Sequence, residues 1–168
     1  MVSNPPLRKR IISDQEAENI SRVEELAYEI KVNEVMASKL ICFSPEKSMR
    51  EVLEVFRQKR ISGAPITSPQ GDLIGVISME DLIRCLIDSD LESKIEKYMT
   101  TKLITILPND PLIEASKKFV TTNFGRLPVV DKNQKLVGMI TKGDINRGLL
   151  RALETDFREE EIRKYRAS

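Results

Sequence analysis

Two four-residue stretches place chemically active side chains at a defined spacing: Ser78-Met79-Glu80-Asp81 and Thr141-Lys142-Gly143-Asp144. Each follows an apolar run and opens a segment of helical spacing. A hydroxyl followed three residues later by a carboxylate is a capping box, whose side chains satisfy free amides of a first helical turn. The same geometry suits an anion, because a helix N-terminus presents amides and the positive end of its dipole. A hydroxyl there can bind phosphate, and a carboxylate one turn in can accept both hydroxyls of a ribose. Both readings stand. Asp in both stretches, with Ser and Thr interchanged, is what the second requires.

Composition excludes most other chemistry. The 168 residues include no histidine and no tryptophan, which removes imidazole bases, Ser-His-Asp and Cys-His arrangements and imidazole zinc sites. No GxxxxGK loop occurs and the acidic residues form no metal-type motif, so neither catalysis nor a resident metal is expected. Cys42 and Cys85 lack any CxxC spacing and read as two buried free thiols. With 27 Lys+Arg against 26 Asp+Glu the net charge is +1, which argues against a dominant nucleic-acid partner; Arg8-Lys9-Arg10 and Lys59-Arg60 are the local basic exceptions. No apolar run approaches the ~20 residues of a membrane span, and the start MVSNPPLRKR has no signal-type apolar region. A soluble, cytoplasmic protein is expected.

The elements that must position these residues come in two copies. Met36 and Met99, Ile41 and Ile104, Pro45 and Pro108, Pro65 and Pro128, Gly75 and Gly138, Asp81 and Asp144 all stand 63 positions apart. Residues 32–87 slide onto 95–150 without a gap, and a repeat of this kind decides the fold. In each copy a short apolar strand (40–43; 103–107) ends at a proline. A helix follows, with apolar Met49, Val52, Leu53 and Phe56 or Leu112, Ala115, Phe119 and Val120, and with Pro111 in the first turn. Two strands (64–67 and 73–77; 127–130 and 136–140) flank a polar turn, and a second helix starts at Ser78 or Thr141. The expected class is α/β (α+β), β-α-β-β-α twice. Units of about 55 residues bury little core alone, so the copies should pack about a pseudo-twofold axis with a cleft lined twice by equivalent residues.

This pattern, VMxxxxI, then xP[IV], then G[VM]I[ST]xxD in both copies, resembles tandem CBS domains, the Bateman module. The resemblance sets domain 1 at 32–88 and domain 2 at 95–150, after a tail and amphipathic helix at 1–31 and before a charged helix or linker at 151–168. It implies a regulatory module, often a homodimer, that binds AMP, ADP, ATP or S-adenosylmethionine and signals to a fused or partner effector. Carried over by position, one nucleotide site joins Ser78 and Asp81 to Leu103, Ile104, Asp110, Ala115, Phe124, Gly125 and Arg126. The other joins Thr141, Lys142 and Asp144 to Leu40, Ile41, Lys47, Val52, Ile61 and Ser62. The sites are expected to be unequal. Arg126 stands where some family members place a phosphate-binding arginine, whereas Gly63 occupies the matching place in the first copy. Lys142 offers a cation beside Thr141, where the first copy has Met79. Lys47 replaces the Thr, Ser or Asp that often precedes the first helix in this family, and Val52, bulkier than the usual Ala, narrows the Asp144 site.

Outside the pair, Ser13-Asp14-Gln15-Glu16 is another capping-box signature, followed by Ile20, Val23, Leu26, Ala27 and Ile30 on one helical face. Residues 151–166 continue the last helix with a thin stripe of Leu153, Phe157 and Ile162 among charges. The stretch from Glu159 to Ser168 resembles the segment that joins some bacterial CBS pairs to a histidine-kinase-like ATPase or anti-sigma domain, so either a fragment of a longer protein or a helix that contacts an effector is expected. The competing expectations are a dimerisation scaffold whose motifs are only caps, and nucleic-acid binding.

Overall fold

In the computed structural model, residues 13–167 are described; Arg8-Lys9-Arg10 lie outside them. Helix α1 (Asp14–Glu29) begins where Ser13 and Glu16 form a reciprocal capping box. After the single turn α2 (Val32–Val35) come α3 (Met49–Lys59), the antiparallel strands β1 (Gly63–Thr67) and β2 (Leu73–Ser78), and α4 (Met79–Ile87). A 3-10 turn (Ile95–Lys97) leads to the second copy: α5 (Leu112–Thr121), β3 (Arg126–Val130) antiparallel to β4 (Leu136–Thr141), and α6 (Lys142–Ala167). Pro111 is the N-cap of α5 rather than part of its first turn, with extended φ and ψ of −69° and 155°.

The runs at 40–43 and 103–107 are not full strands. Each contributes one parallel bridge, Phe43 with Ile66 and Ile106 with Val129. Phe43 donates to the Pro65 carbonyl at 3.1 Å and accepts from Thr67 at 3.0 Å; Ile106 does the same with Pro128 and Val130 at 3.1 and 3.0 Å. The next rung of either parallel ladder would need an amide from Pro65 or Pro128. Proline has none, so pairing stops after one residue.

The other edge of each sheet is closed by the opposite part of the chain. Thr100 exchanges two backbone hydrogen bonds with Val76, and Ala37 exchanges two with Met139. Ile95 and Tyr98 lie in the first core, with Met49, Val52, Phe56, Ile66, Ile77 and Leu82. Val32 lies in the second, with Leu112, Ala115, Phe119, Val129, Ile140 and Ile145. The head of each repeat therefore packs into the other repeat's core.

The pseudo-twofold axis is marked by residues that meet their own counterparts. Asp72 bridges Lys135, with Lys135 Nζ 2.5 Å from Asp72 Oδ1, and Gly63 faces Arg126; each pair is 63 positions apart. Helices α3 and α4 pack together, as do α5 and α6, and α1 lies against α5 and α6. Arg22 Nε holds Asp156 at 2.7 Å across the α1–α6 contact, which raises the arginine pKa further. Of the α1 face, Leu26 and Ala27 are buried and Ile20 is exposed; on α6, Phe157 and Ile162 are exposed. Only one thiol meets the expectation for cysteine: Cys85 is buried, Cys42 exposed. No helix among the described residues is long and apolar enough to cross a membrane.

Candidate functional site

Ser78 ends β2 with extended φ and ψ of −122° and 169° and caps α4. Its amide and its hydroxyl each donate to Asp81 Oδ2 at 2.8 Å, and the Asp81 amide donates to Ser78 Oγ at 3.3 Å. Arg84, one turn on, donates to the other oxygen, Asp81 Oδ1. Asp81 is the buried charged residue of the described chain, 4% exposed, and burial of a carboxylate requires such partners. Thr141, Asp144 and Arg147 repeat the arrangement at 2.9, 3.0 and 2.6 Å. Both motifs are thus complete capping boxes, each with its carboxylate braced by an arginine.

The clefts around them differ. Beside Ser78 and Asp81 lies a cavity of about 570 Å³, lined from the first repeat by Ser62, Val76, Met79, Glu80 and Arg84 and from the second by Leu103, Ile104, Asn123, Phe124, Gly125, Arg126 and Pro128, with Thr100 between them. This volume falls within the range of small-molecule sites. Its two guanidinium groups are in different states. Arg84 is paired with Asp81. Arg126 is half-buried with Ser62 Oγ as its hydrogen-bond partner at 2.8 Å, and burial lowers its pKa from the usual arginine value.

Two residues placed at this site by position stand elsewhere. Ala115 is fully buried in the second core. Asp110 turns its carboxylate to the Leu107 amide at 3.0 Å, closing its own turn. The second cleft departs further. Asp144 faces a cavity of about 400 Å³ lined by Ile30, Glu34, Val35, Met36, Arg147, Gly148, Arg151 and Ala152. None of the first-repeat residues expected beside it is among these. Val52 is fully buried in the first core and Ile61 packs against that core. Lys47 pairs with Glu51 at 3.3 Å on the outer side of α3. Leu40 is half-buried and Ile41 is 36% exposed. Ser62 joins the Ser78 cavity instead. Lys142 places Nζ 6.0 Å from the Phe119 ring centroid, so its cation lies over its own repeat.

Val76, Met79, Glu80, Arg84, Thr100, Asn123 and Pro128 also line the first cavity, although the sequence did not place them in a site. Arg84 carried a readable signal, since Asp-x-x-Arg recurs at Asp144 and Arg147. Residues 32–88 and 95–151 each match the CBS domain family. The chain belongs to that family. Among relatives of the CBS pair, the uncharacterized protein MJ1232 of Methanocaldococcus jannaschii is 35% identical over 116 residues, 69% of this chain and 38% of the relative. The chain thus spans about two-fifths of that protein's length. Among solved structures, CBSX2 of Arabidopsis thaliana in complex with AMP superposes with a TM-score of 0.66 at 28% identity, covering 73% of this chain and 97% of that one. The CBS pair of MJ0100 in complex with 5′-methylthioadenosine and S-adenosyl-L-methionine gives 0.65 at 27% identity, covering 70% and 94%.

Proposed function

We propose that this CBS pair is a non-catalytic regulatory module that binds an adenosine-containing nucleotide and passes its occupancy to an effector. The observation that carries the reading is the cavity between the repeats, where a capped helix N-terminus, the Asp81 carboxylate, an apolar wall of Leu103, Ile104 and Phe124, and the Arg126 guanidinium, held by a neutral hydroxyl, converge. Ribose would meet Asp81 Oδ1 beside Arg84, adenine the apolar wall, and phosphate Arg126 at the positive end of the α4 dipole. The structures with AMP and with S-adenosylmethionine and methylthioadenosine support an adenosine ligand. The Ser78–Asp81 cleft is the tighter site, because Arg126 faces it while Lys142 turns from the other. Binding acts on an effector through different affinities for two arrangements of the repeats, or of a homodimer built from them.

Thermal unfolding with AMP, ADP, ATP, S-adenosylmethionine and GTP tests this. At about 1 mM, a ligand with Kd near 10 µM adds about 2.7 kcal/mol and raises the midpoint by several degrees. An adenine-selective rise lost in Asp81→Asn supports the reading. No rise with any of the five, in chain free of co-purified ligand, refutes it. The complete capping boxes favour a second reading, a dimerisation scaffold in which Asp81 only caps α4. On that reading Asp81→Asn lowers the midpoint equally with and without nucleotide.

A further inference from the structure

The guanidinium of Arg126 is not free in the cavity. One nitrogen donates to Ser62 Oγ at 2.8 Å, and the rest of the group lies over Gly63, so close that a Cβ there would clash with Arg126 Cζ. Ser62 and Gly63 are the first-repeat counterparts of Gly125 and Arg126, so this contact sits on the pseudo-twofold axis. Ser62 is tied to the site a second time, since its carbonyl accepts the amide of Met79, the first residue of α4, at 2.8 Å. A neutral hydroxyl is a weak partner for a half-buried cation, and an oxyanion is a stronger one.

We propose that Ser62 is a specificity-determining residue: it holds Arg126 in a resting seat on the axis, and an anionic group on the ligand must take the guanidinium away from it. The proposal rests on the reading of this cavity as a nucleotide site. Phosphorylated ligands bear the cost of breaking the Ser62 contact and an unphosphorylated nucleoside does not, so Ser62 sets the ratio of the two affinities. Gly63 leaves the space that the seat needs. Because the phosphate draws Arg126 off the first repeat, the charge of the ligand, rather than its base, is felt where the repeats meet.

Calorimetric titration of the full chain with AMP and with adenosine tests this in the wild type, Ser62→Ala, Ser62→Asp, Arg126→Gln and the Ser62→Ala/Arg126→Gln double variant. Ser62 is exposed, so its replacements leave the fold intact. The proposal expects Ser62→Ala to tighten AMP by about three- to tenfold, the worth of one competing hydrogen bond. Adenosine affinity stays as it was. Ser62→Asp, a stronger seat, weakens AMP. In the Arg126→Gln background Ser62→Ala changes neither ligand, the coupling expected of two groups in contact. Unchanged or weaker AMP binding in Ser62→Ala, or an equal gain for adenosine, overturns the proposal while leaving the cavity reading intact. Failure of the wild type to bind either ligand overturns both.

Discussion

Asp81 satisfies two demands that pull on the same side chain. As the third residue of α4 it closes the cap with one oxygen, which already accepts twice from Ser78, and its second oxygen meets Arg84. On the proposed reading, a ligand hydroxyl would share Asp81 Oδ1 with that arginine. Asp81→Asn keeps the shape but removes the charge from both contacts. We predict a loss of about 1 kcal/mol of stability, the scale of a helix cap, seen as a lower urea midpoint. The same variant should weaken nucleotide binding at least about tenfold, as expected when charge-assisted hydrogen bonds are lost, whereas Asp144→Asn should change that binding little. Val52 shows how a residue can mislead when only its position is known. Its alignment with a family cleft residue placed it at the second site, but it is fully buried in the first core. Val52→Ala should cost about 2 kcal/mol in chemical unfolding through lost packing and open no site.

At the scale of elements, the two repeats solve the same turn with different residues. Gly71 and its counterpart Gln134 both adopt left-handed φ, 83° and 63°. Glycine bears no side-chain penalty there, while glutamine does. Gln134→Gly should therefore stabilise the chain by up to about 1 kcal/mol, and Gly71→Gln should destabilise it by about as much; paired urea titrations check both signs. The connection after α4 carries the clearest acid response. Lys97, then Ser93 and Tyr98, bind the Asp90 carboxylate and lower its pKa from 3.8 to about 2. Tyr98, whose own pKa is raised by burial and then by Asp88 and Asp90, donates to these two carboxylates at 2.9 and 3.0 Å. A depressed carboxylate pKa stabilises the fold above its unfolded value and loses that contribution as pH falls toward the folded one. Stability should therefore drop between about pH 4 and pH 2, and Asp90→Asn should flatten the slope in that window. The helices, the hairpins and both caps were legible in the sequence because each depends on neighbours within a few residues. The first strands were misjudged for a non-local reason: the prolines that truncate their ladders, Pro65 and Pro128, sit in the partner strands. Leu103, Ile104 and Phe124, grouped with Ser78 by position, line one cavity with it, and so does Ser62, which position grouped with Thr141; the reach of Arg126 across the axis to Ser62 leaves no local pattern.

At the scale of the whole molecule, the crossed segments decide how the chain unfolds. Matching apolar residues head the repeats at Val32 and Ile95, and nothing local says which core receives which head. In the structure Val32 is fully buried in the second core, and the backbone bonds between Ala37 and Met139 complete that sheet. Ile95 and Thr100 do the same for the first. Neither repeat is a closed unit over its own span. Each needs a segment that the other's neighbourhood supplies, so a unit too small to be stable alone gains its missing core from the chain's crossing. Heat and urea should then report a single cooperative transition, coincident by far-ultraviolet dichroism and tyrosine fluorescence. Removing residues 1–37 makes the sharper case. That deletion takes α1 and Val32 from the second repeat and leaves Ile95, Tyr98 and Thr100 in the first. Hydrogen exchange on the shortened chain should show protection lost in β4 and α5 and kept in β2 and α4, the pattern of sub-global opening. If the repeats were instead self-contained, the deletion would leave protection in β4 and α5 unchanged. On the proposed reading, nucleotide between the repeats should restore part of the lost protection, because the contacts proposed for it on the second repeat, Phe124 to Arg126 at the head of β3, would exist only while that repeat is folded.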